Sequence, residues 1–341
     1  MHRRTIMATM DDIAHALGIT KGTVSKAFSG ADDISESMRK AVLEKAVELG
    51  YTRIMRSREV KKICIFIVHM SYENTEDFGH DIVTGFRKIA EPAGYIVDII
   101  KLTDDMQKEH SYDEFMLREN YLGALFLGLS LNDPWIGCFS SCRTPTVLYD
   151  NSSHGNPVVT QIGIDNSEGM RLAVGYLKEL GHQRIGYMSS ELKSFVYQQR
   201  YHAYFDAMEE YGLKTDSSLT ASALQASECI KKHMPRLISQ GCTAIICSHD
   251  LLALGAMIYC EEHGIGVPDD ISFISFDDIP LARYTSPPLT TIRQNRTELG
   301  KSAFYALTSQ MNSVPISTLL LHAQLIKRES AAPLHGDQNS L

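Results

Sequence analysis

The stretch TMDDIAHALGITKGTVSKAF, residues 9–28, decides the fold of the N-terminal segment. Thr9, followed three residues later by Asp12, has the hydroxyl-and-carboxylate spacing of a helix N-terminus. Apolar residues then recur at helical spacing until Gly18, which breaks the helix. Thr20 caps a second helix two residues further on. The spacing therefore predicts two helices joined by a tight turn.

The second predicted helix has one apolar face and one polar face. Val24 and Phe28 lie four residues apart and can point inward, toward a third helix over residues 36–49 that begins after Ser35. Hydroxyls and ammonium groups on the other face suit the phosphates and base edges of a DNA major groove. The outward residues are Lys21, Thr23, Ser25 and Lys26. We expect DNA binding from this helix-turn-helix; the alternative is a three-helix bundle without a nucleic-acid role.

Charge separates this segment from the rest of the chain. The 341 residues predict two or three domains, and 44% hydrophobic with 22% charged residues exclude a mostly disordered chain. The net charge of −8 argues against nucleic-acid binding by the chain as a whole. However, residues 1–62 hold 12 Lys or Arg against 8 Asp or Glu, whereas residues 63–341 hold 21 against 33. This asymmetry predicts a basic appendage on an acidic body.

Cysteine usage and hydropathy indicate the compartment. The seven cysteines are scattered and form no CxxC pair, which is typical of reduced thiols. The basic residues 1–7 are not followed by the apolar segment of a signal peptide, and no apolar run is long enough to span a membrane. We expect a cytoplasmic protein, nucleoid-associated when bound to DNA, with no membrane partner, no metal and no cofactor.

From residue 63 onward, short apolar runs alternate with helix-length stretches. The predicted strands cover residues 63–68, 96–100, 124–129, 146–149, 185–188, 244–247 and 271–276. The predicted helices cover residues 79–93, 167–180, 197–211, 227–240 and 251–263. Most of these helices end at a glycine, and the strands are apolar enough to be buried on both faces. This alternation predicts doubly wound parallel sheets, and its length of about 270 residues favours two lobes.

Several segments carry a resemblance to a known family. They are MDDIAHALGITKGTVSK at 10–26, IDNSEG at 164–169, LGHQRI at 180–185, SHDLLALG at 248–255, VPDDIS at 267–272, FDD at 276–278, SPPLTTI at 286–292 and KRES at 327–330. Taken together and in this order, they resemble the lactose/galactose repressor (LacI/GalR) family over roughly residues 8–330. The resemblance implies a dimeric repressor whose core has the two-lobed fold of periplasmic sugar-binding proteins.

The resemblance also assigns DNA-binding positions. Lys21 and Gly22 stand where the family has its main base-reading pair, and Lys26 stands where an arginine is common. Gly22 has no side chain, which either weakens readout of one base pair or lets the helix approach more closely. Lys21 could donate to guanine O6 or N7. The expected DNA-binding residues are Thr9, Thr20, Lys21, Gly22, Thr23, Ser25, Lys26, Arg53 and Arg56.

The linker departs from the family pattern. After Tyr51 the family has a Pro-Asn pair and a hinge helix that inserts a leucine into the minor groove, but residues 51–62 read YTRIMRSREVKK. Val60 aligns with the inserted residue, and Ile54 and Met55 are alternative wedges. The residues that could follow phosphates are Arg53, Arg56, Arg58, Lys61 and Lys62. The other interpretation is a solvated basic linker, and we expect weaker coupling between ligand and DNA than in typical members.

A ligand site is predicted beyond the carboxyl ends of the strands, where open α/β sheets bind ligands. The expected effector-binding residues are His69, Phe78, Asp150, Phe195, Arg200, His249, Asp277 and Arg296. In the resemblance, Arg200 matches an arginine and Asp277 an aspartate that bind ligand, and His249 replaces a common asparagine. An aromatic face with a fork donor and a carboxylate suits a sugar, and Arg296 adds a charge for a phosphorylated or acidic one. The alternative is that Asp277 or Arg200 merely forms a surface ion pair.

These observations predict an all-α helix-turn-helix head at residues 8–52 and a basic linker at 53–62. A two-lobed core follows at 63–331: lobe 1 at about 63–162 and 293–322, and lobe 2 at about 163–292 and 323–331. The tail covers residues 332–341, and the chain is expected to fray from Ala331 onward.

We predict a ligand-controlled repressor that binds operator DNA as a homodimer, with the ligand between the lobes. The alternatives are a sugar-binding protein without a DNA role and a regulator whose DNA binding ignores the effector. Since there is no G-x-S-x-G, P-loop or HExxH, we expect no enzyme.

Overall fold

The structure is a computed structural model that describes residues 8–51, 60–153, 155–190 and 192–334. The helices are α1 (Met10–Leu17), α2 (Lys21–Ser29), α3 (Glu36–Leu49), α4 (Phe78–Ala90), α5 (Asp104–Glu109), α6 (Tyr112–Arg118), α7 (Asn166–Glu179), α8 (Phe195–Glu210), α9 (Ala226–Ser239), α10 (Asp250–Glu262) and α11 (Arg296–Met311). The strands are β1 (Lys61–Ile67), β2 (Tyr95–Lys101), β3 (Ala124–Leu127), β4 (Thr146–Tyr149), β5 (Val159–Ile164), β6 (Ile185–Ser190), β7 (Thr220–Ala223), β8 (Ala244–Cys247), β9 (Ser272–Asp277), β10 (Thr290–Arg293), β11 (Thr318–Leu321) and β12 (Gln324–Ile326). Short 3-10 helices cover Pro134–Ser140, Ser217–Leu219 and Pro280–Arg283.

The head, formed by α1 to α3, has the predicted helix-turn-helix. The Thr9 hydroxyl accepts a hydrogen bond from the Asp12 amide, and the Asp12 carboxylate accepts one from the Thr9 amide, so the capping box is complete. Gly18 ends α1 with φ of +65°, a conformation that costs glycine little. Ile13, Val24 and other apolar residues of the three helices are fully buried in one small core.

The described chain divides into two compact units. The first comprises residues up to Glu73, Gly79–Ile162 and Thr297–Leu319, and it includes the head. Its sheet has the strand order β11-β5-β4-β3-β1-β2, and the recorded pairings from β2 to β5 are parallel. Strands β3 and β4 are buried along their whole length, as the apolar runs predict.

The second unit comprises Asn74–Phe78, Gly163–Arg296 and residues from Leu320 onward. Its sheet has the order β12-β10-β9-β8-β6-β7, parallel except for the antiparallel edge strand β12. The carboxyl ends of β6 to β10 therefore share one edge. Both sheets confirm the predicted fold class of a helical head with two doubly wound α/β lobes.

One helix contact in the first unit depends on glycine. Gly85 on α4 and Gly300 on α11 lie where the two helix backbones meet. A Cβ atom added to Gly300 would lie 2.0 Å from the Ile82 carbonyl oxygen, and one added to Gly85 would lie 2.2 Å from the Thr297 carbonyl oxygen. Only glycine permits so close an approach of α4 and α11.

The element boundaries differ from the sequence prediction in several places. Strand β1 begins at Lys61, so Lys61 and Lys62 belong to the sheet and not to the linker. Helices α5, α6 and α11 and strands β5, β7, β10, β11 and β12 were not predicted, because their apolar runs are short or irregular. The expected fraying after Ser330 is wrong for residues 331–334. The Ala332 amide donates to the Ser272 hydroxyl, and the Leu334 amide donates to the Leu180 carbonyl.

Candidate functional site

The candidate DNA-reading surface is the polar face of α2. Thr20 caps the helix by accepting from the Thr23 amide, and the two hydroxyls lie 3.0 Å apart. Lys21, Ser25 and Lys26 are exposed. Gly22 is also exposed, and a Cβ atom there would meet only the Thr20 hydroxyl, at 3.6 Å. The predicted residues of α2 thus lie on one solvent-facing side, whereas Thr9 is occupied in capping α1.

Both lysines of this surface are paired with carboxylates of the head. The Lys21 Nζ atom lies 2.6 Å from Asp11 Oδ2, and the two side chains are 57% and 64% exposed. Lys26 pairs with Asp33 at the other end of α2, and this contact lowers the pKa of Asp33. The two cations that are expected to approach DNA therefore each have a nearby anion in the free protein.

The linker residues have mixed outcomes. Five of the predicted linker residues lie outside the described residues: Arg53, Arg56 and Arg58, and the wedge candidates Ile54 and Met55. Val60 is described and is 68% exposed. The suggestion that Lys61 and Lys62 follow phosphates is not supported, because both belong to β1. Lys62 lies 2.9 Å from the Asp98 carboxylate and over the Tyr121 ring, and Lys61 lies over the Tyr95 ring.

The candidate ligand surface is the carboxyl edge of the sheet in the second unit. Each parallel strand delivers a side chain to this edge where it ends. In the spatial order of the strands these are Gln294 after β10, Asp277 of β9, His249 after β8, Ser190 of β6 and Leu224 after β7. Leu224 is 70% exposed, so it contributes apolar surface at the end of β7. A carboxylate, an imidazole, a hydroxyl and an apolar surface thus occur along one edge.

Arg200 of α8 is fixed by the residues around it. Its side chain is 2% exposed, its Nε atom donates to Asn166 Oδ1 at 2.9 Å, and its guanidinium lies 4.3 Å from the centre of the Phe276 ring. The guanidinium is 3.5 Å from Asp277 Oδ1, and Gln294 Nε2 donates to the same oxygen at 2.7 Å. Arg200 therefore orients the Asp277 carboxylate, which at 15% exposure is the more accessible of the two.

His249 has a defined tautomer. Its Nδ1 atom accepts from the Leu252 amide as the cap of α10, so the proton of the neutral ring is on Nε2, which donates to Ser190 Oγ at 2.9 Å. Burial lowers the pKa of His249, the Arg200 charge acts in the same direction, and the Asp277 charge opposes both. Because Ser190 Oγ accepts the hydrogen bond from the Nε2–H group of the ring, the serine hydroxyl can donate its own hydrogen bond to a ligand.

Two consecutive residues at the end of β9 have a left-handed backbone. Asp277 has φ of +111° and Asp278 has φ of +49°, which is costly for residues other than glycine. The Asp278 carboxylate is buried and accepts from Arg293 and Arg328. Burial by itself would raise the pKa of Asp278, but the two guanidinium groups hold it below its usual value. This ion-pair cluster stabilises the turn that directs Asp277 to the edge.

Asp250 follows His249 but points in another direction. Its buried carboxylate accepts from the hydroxyls of Ser275 and Thr291 and from the Ile279 amide. Burial and the neighbouring Asp277 charge raise the pKa of Asp250 to about 7. Asp250 therefore ties together the ends of β9 and β10, as expected for adjacent residues whose side chains diverge.

The other predicted ligand residues lie in different places. His69 and Asp150 follow β1 and β4 in the first unit, and His69 Nε2 lies 3.1 Å from the Asp133 carboxylate. Phe195 begins α8, where it lines a depression with Asn166 and Gln199 in the second unit. Phe78 lies 5.2 Å below the Arg296 guanidinium, and both residues group with the second unit. The second unit thus brings together Arg200, His249 and Asp277.

Sequence reasoning missed Ser190, Leu224, Gln294 and Asn166. The rule that selected His249 and Asp277 applies equally to Ser190, Leu224 and Gln294, since each ends or follows a strand of the same sheet. Strands β7 and β10 were not recognised, so Leu224 and Gln294 had no strand end to mark them. His182 is buried and bonds to Thr243 Oγ1 and the Ala332 carbonyl, away from the edge.

Two features are absent from the described residues. No group of three or more His, Cys, Asp or Glu side chains there could hold a metal ion. No helix in the same part of the chain is both long enough and apolar enough to cross a membrane.

Comparison with known proteins agrees with both halves of the chain. Residues 9–53 match the model of bacterial regulatory proteins of the lacI family, and residues 174–331 match that of the periplasmic binding protein-like domain. The HTH-type transcriptional repressor CytR of Escherichia coli K12 is 31% identical over 337 residues, which are 96% of this chain and 97% of that protein. The repressor PurR of Pasteurella multocida is 28% identical over 95% of this chain and 98% of its own length.

Solved structures show the same fold. The lac repressor dimer bound to operator and the anti-inducer ONPF has a TM-score of 0.66 at 24% identity, covering 96% of this chain and 99% of that one. A complex of the transcriptional regulator CelR with cellobiose has a TM-score of 0.67 at 23% identity, covering 95% and 100%. With a complete head, two periplasmic-binding-protein-like units and a repressor relative that spans nearly all its length, the chain belongs to the lacI family of bacterial transcriptional regulators.

Proposed function

We propose that the chain is a homodimeric repressor whose α2 enters the major groove of its operator and whose operator affinity is controlled by a small polyhydroxylated ligand, a sugar or sugar phosphate. The observation that carries the ligand part is the oriented carboxylate of Asp277 beside His249 and Arg200. Solved structures of this fold include the complex of the transcriptional regulator CelR with cellobiose and a LacI family regulator from Enterococcus faecium with bound ribose. The family role is repression and not catalysis, and we place the protein in the cytoplasm, where its operator is.

The DNA part of the proposal assigns roles by position on α2. Lys21 begins the helix and donates to base edges, because the first residues of a recognition helix lie deepest in the groove. Ser25 and Lys26, one turn later, contact phosphates, as do Thr20 and Thr23. Arg53 and Arg56 add phosphate contacts from the linker. These contacts make binding depend on salt.

The ligand part assigns complementary groups to the edge of the second unit. Asp277 accepts hydrogen bonds from ligand hydroxyls, and Leu224 covers an apolar face of the ligand. Ser190 accepts a hydrogen bond from His249 and donates its own hydroxyl hydrogen to the ligand. Arg200 holds Asp277 in place. His69, Phe78, Asp150, Phe195 and Arg296 remain predicted contacts, and a ligand position between the two lobes remains a prediction as well. We propose that the ligand releases the operator.

The dimer part rests on exposed apolar side chains of the second unit. Leu251 and Ile258 lie seven residues apart on α10 and are 60% and 56% exposed. Leu281 and Tyr284, in and after the 3-10 helix Pro280–Arg283, are 49% and 81% exposed. We propose that a second copy covers these side chains, which would place two heads on half-sites about one helical turn apart.

The ligand proposal is tested with the full-length protein and a panel of sugars and sugar phosphates, screened first by thermal shift. Operator fragments are selected from genomic DNA, and binding is titrated by fluorescence anisotropy with each panel member. Asp277→Asn and Leu224→Ala should keep operator binding and lose the response, while the exposed control Glu262→Gln should keep both. An unchanged response in Asp277→Asn and Leu224→Ala would refute the site. Operator binding that ignores the whole panel would favour a regulator independent of such ligands.

The dimer proposal has its own measurement. Ile258→Glu should convert the sedimenting species from dimer to monomer and weaken operator binding, whereas Glu262→Gln on the same helix should do neither. A dimer that is unaffected by Ile258→Glu would place the interface elsewhere.

A further inference from the structure

The ion pair between Asp11 and Lys21 joins the first turn of α1 to the first residue of α2. The two charged atoms lie 2.6 Å apart, and more than half of each side chain is exposed to solvent. Asp12 forms the capping box of α1, so Asp11 is not needed to begin the helix. The pair therefore presents a donor and an acceptor side by side at the start of the recognition helix.

The charge of the head makes this carboxylate costly for DNA binding. Residues 8–51 contain five Lys or Arg and seven Asp or Glu, a net charge of −2. A carboxylate next to the base-reading lysine repels the DNA phosphates and partly neutralises the positive charge of the lysine. In water an exposed ion pair of this kind contributes little to stability, so its role in folding is small.

A base pair can satisfy both members of the ion pair. In the major groove, guanine presents the acceptors N7 and O6, and cytosine presents the N4 amine as a donor. Guanine O6 and cytosine N4 are hydrogen-bonded to each other, so they are neighbours, as are the Lys21 ammonium and the Asp11 carboxylate. We propose that Asp11 is a specificity-determining residue: it accepts from cytosine N4 while Lys21 donates to the guanine of the same base pair.

The same geometry predicts which base pairs are rejected. With guanine facing Lys21, both groups are satisfied. A C·G pair turns cytosine N4 toward Lys21 and guanine O6 toward Asp11, so both contacts become repulsive. An A·T pair keeps adenine N7 as an acceptor for Lys21 but turns thymine O4 toward Asp11, so the Asp11 contact becomes repulsive. A T·A pair offers thymine O4 and adenine N6 in the right order, but gives Lys21 only one acceptor. The expected order is G·C, then T·A, then the other two, with steps of roughly tenfold in affinity.

This inference rests on the proposed placement of α2 in the major groove, and the experiment separates the two. Full-length protein is used to select binding sites from a library of random DNA duplexes, with sequencing after each round. Wild-type protein should select G·C at one position of each half-site. Asp11→Ala should flatten the preference at that position alone and should bind random-sequence duplex several-fold more tightly. Asp11→Asn, whose amide both donates and accepts, should weaken the discrimination against C·G at that position, while Lys21 keeps its preference for guanine.

Asp32→Ala is the matched control. It removes the same charge from the head, but Asp32 pairs with neither Lys21 nor Lys26. It should raise affinity for random duplex and keep the G·C preference. Wild-type selectivity in Asp11→Ala, or a loss no greater than in Asp32→Ala, would overturn the inference. If Lys21→Ala also kept every preference, α2 would not be the reading helix and the proposed function itself would fail.

Discussion

Replacing Gly300 by alanine tests the close contact between α4 and α11. The new Cβ atom would lie 2.0 Å from the Ile82 carbonyl oxygen and 2.7 Å from the Phe86 amide nitrogen. Non-bonded heavy atoms are best separated by about 3.5–4.0 Å, so the two helices must move apart by more than roughly 1 Å. Both obstructing atoms belong to the backbone, and no side-chain rotation can relieve the clash.

The magnitude follows from two opposing effects. Overpacking a well-packed interior costs about 1–3 kcal/mol, and the rigid backbone contact places Gly300→Ala at the upper end. Alanine inside a helix is about 1 kcal/mol better than glycine, which offsets part of that cost. We expect a net loss of about 2 kcal/mol in the free energy of unfolding of the first unit. For a unit of this size the midpoint of melting should fall by roughly 4–8 °C.

The assay is thermal unfolding followed by circular dichroism, with Gly137→Ala as the control. Gly137 lies in a 3-10 helix, and a Cβ atom there meets nothing within 4 Å. Its variant should melt within about 1–2 °C of the wild type, since surface substitutions usually change stability by less than about 0.5 kcal/mol. Gly85→Ala should resemble Gly300→Ala, and the double variant should lose less than the sum, because one separation of the helices relieves both clashes. A Gly300→Ala protein as stable as the wild type would refute the reasoning.

Three further outcomes are expected. Burial lowers the pKa of His182, so the neutral ring stabilises the fold above the ordinary histidine pKa of 6.5, and this stabilisation is lost as the pH falls below that value. The variant His182→Gln should therefore lose less stability than the wild type between pH 7.5 and 5.5, measured by denaturant titration. Arg328→Met should destabilise the second unit by about 2–3 kcal/mol, less than a fully broken buried pair, because Arg293 remains beside Asp278; equal denaturation midpoints would contradict this. Thr9→Ala should destabilise the head by about 1 kcal/mol through loss of the α1 cap, measured by amide hydrogen exchange in α1.

The sequence predicted the parts of the fold that have local causes. The Thr9 capping box and the Thr20 cap are complete within four residues, and both occur as expected. The buried strands β3 and β4 are recognisable because β3 is an apolar run between Gly123 and Gly128, and β4 is a β-prone run between Pro145 and Asp150. Strand β7, with the sequence TASA, has no such signal, since its pairing with β6 depends on the rest of the sheet.

The candidate site could be predicted only in part, for the same reason. Asp277 and His249 follow recognisable strands, so their common edge could be inferred. The hydrogen bond from His249 to Ser190 joins residues that are 59 positions apart in the sequence, and the one from Gln294 to Asp277 joins residues 17 positions apart. No local sequence pattern predicts either hydrogen bond. The ion pair of Asp11 with Lys21 likewise depends on how α1 and α2 cross.

The order of assembly along the chain has a consequence for its synthesis. The head is complete by residue 51, whereas the second unit needs its last described residues: β12 closes the sheet edge, Ser330 bonds to Phe273 and Thr290, and Ala332 reaches His182. Since chains fold from the N-terminus as they emerge from the ribosome, the head is folded well before the second unit can be. A chain cut short by a frameshift or a protease within residues 320–334 would still carry the part that reads DNA but lack an intact sensing unit. Such a fragment would also lack the dimer contacts proposed on α10, so we expect it to bind the operator weakly and without control by a ligand.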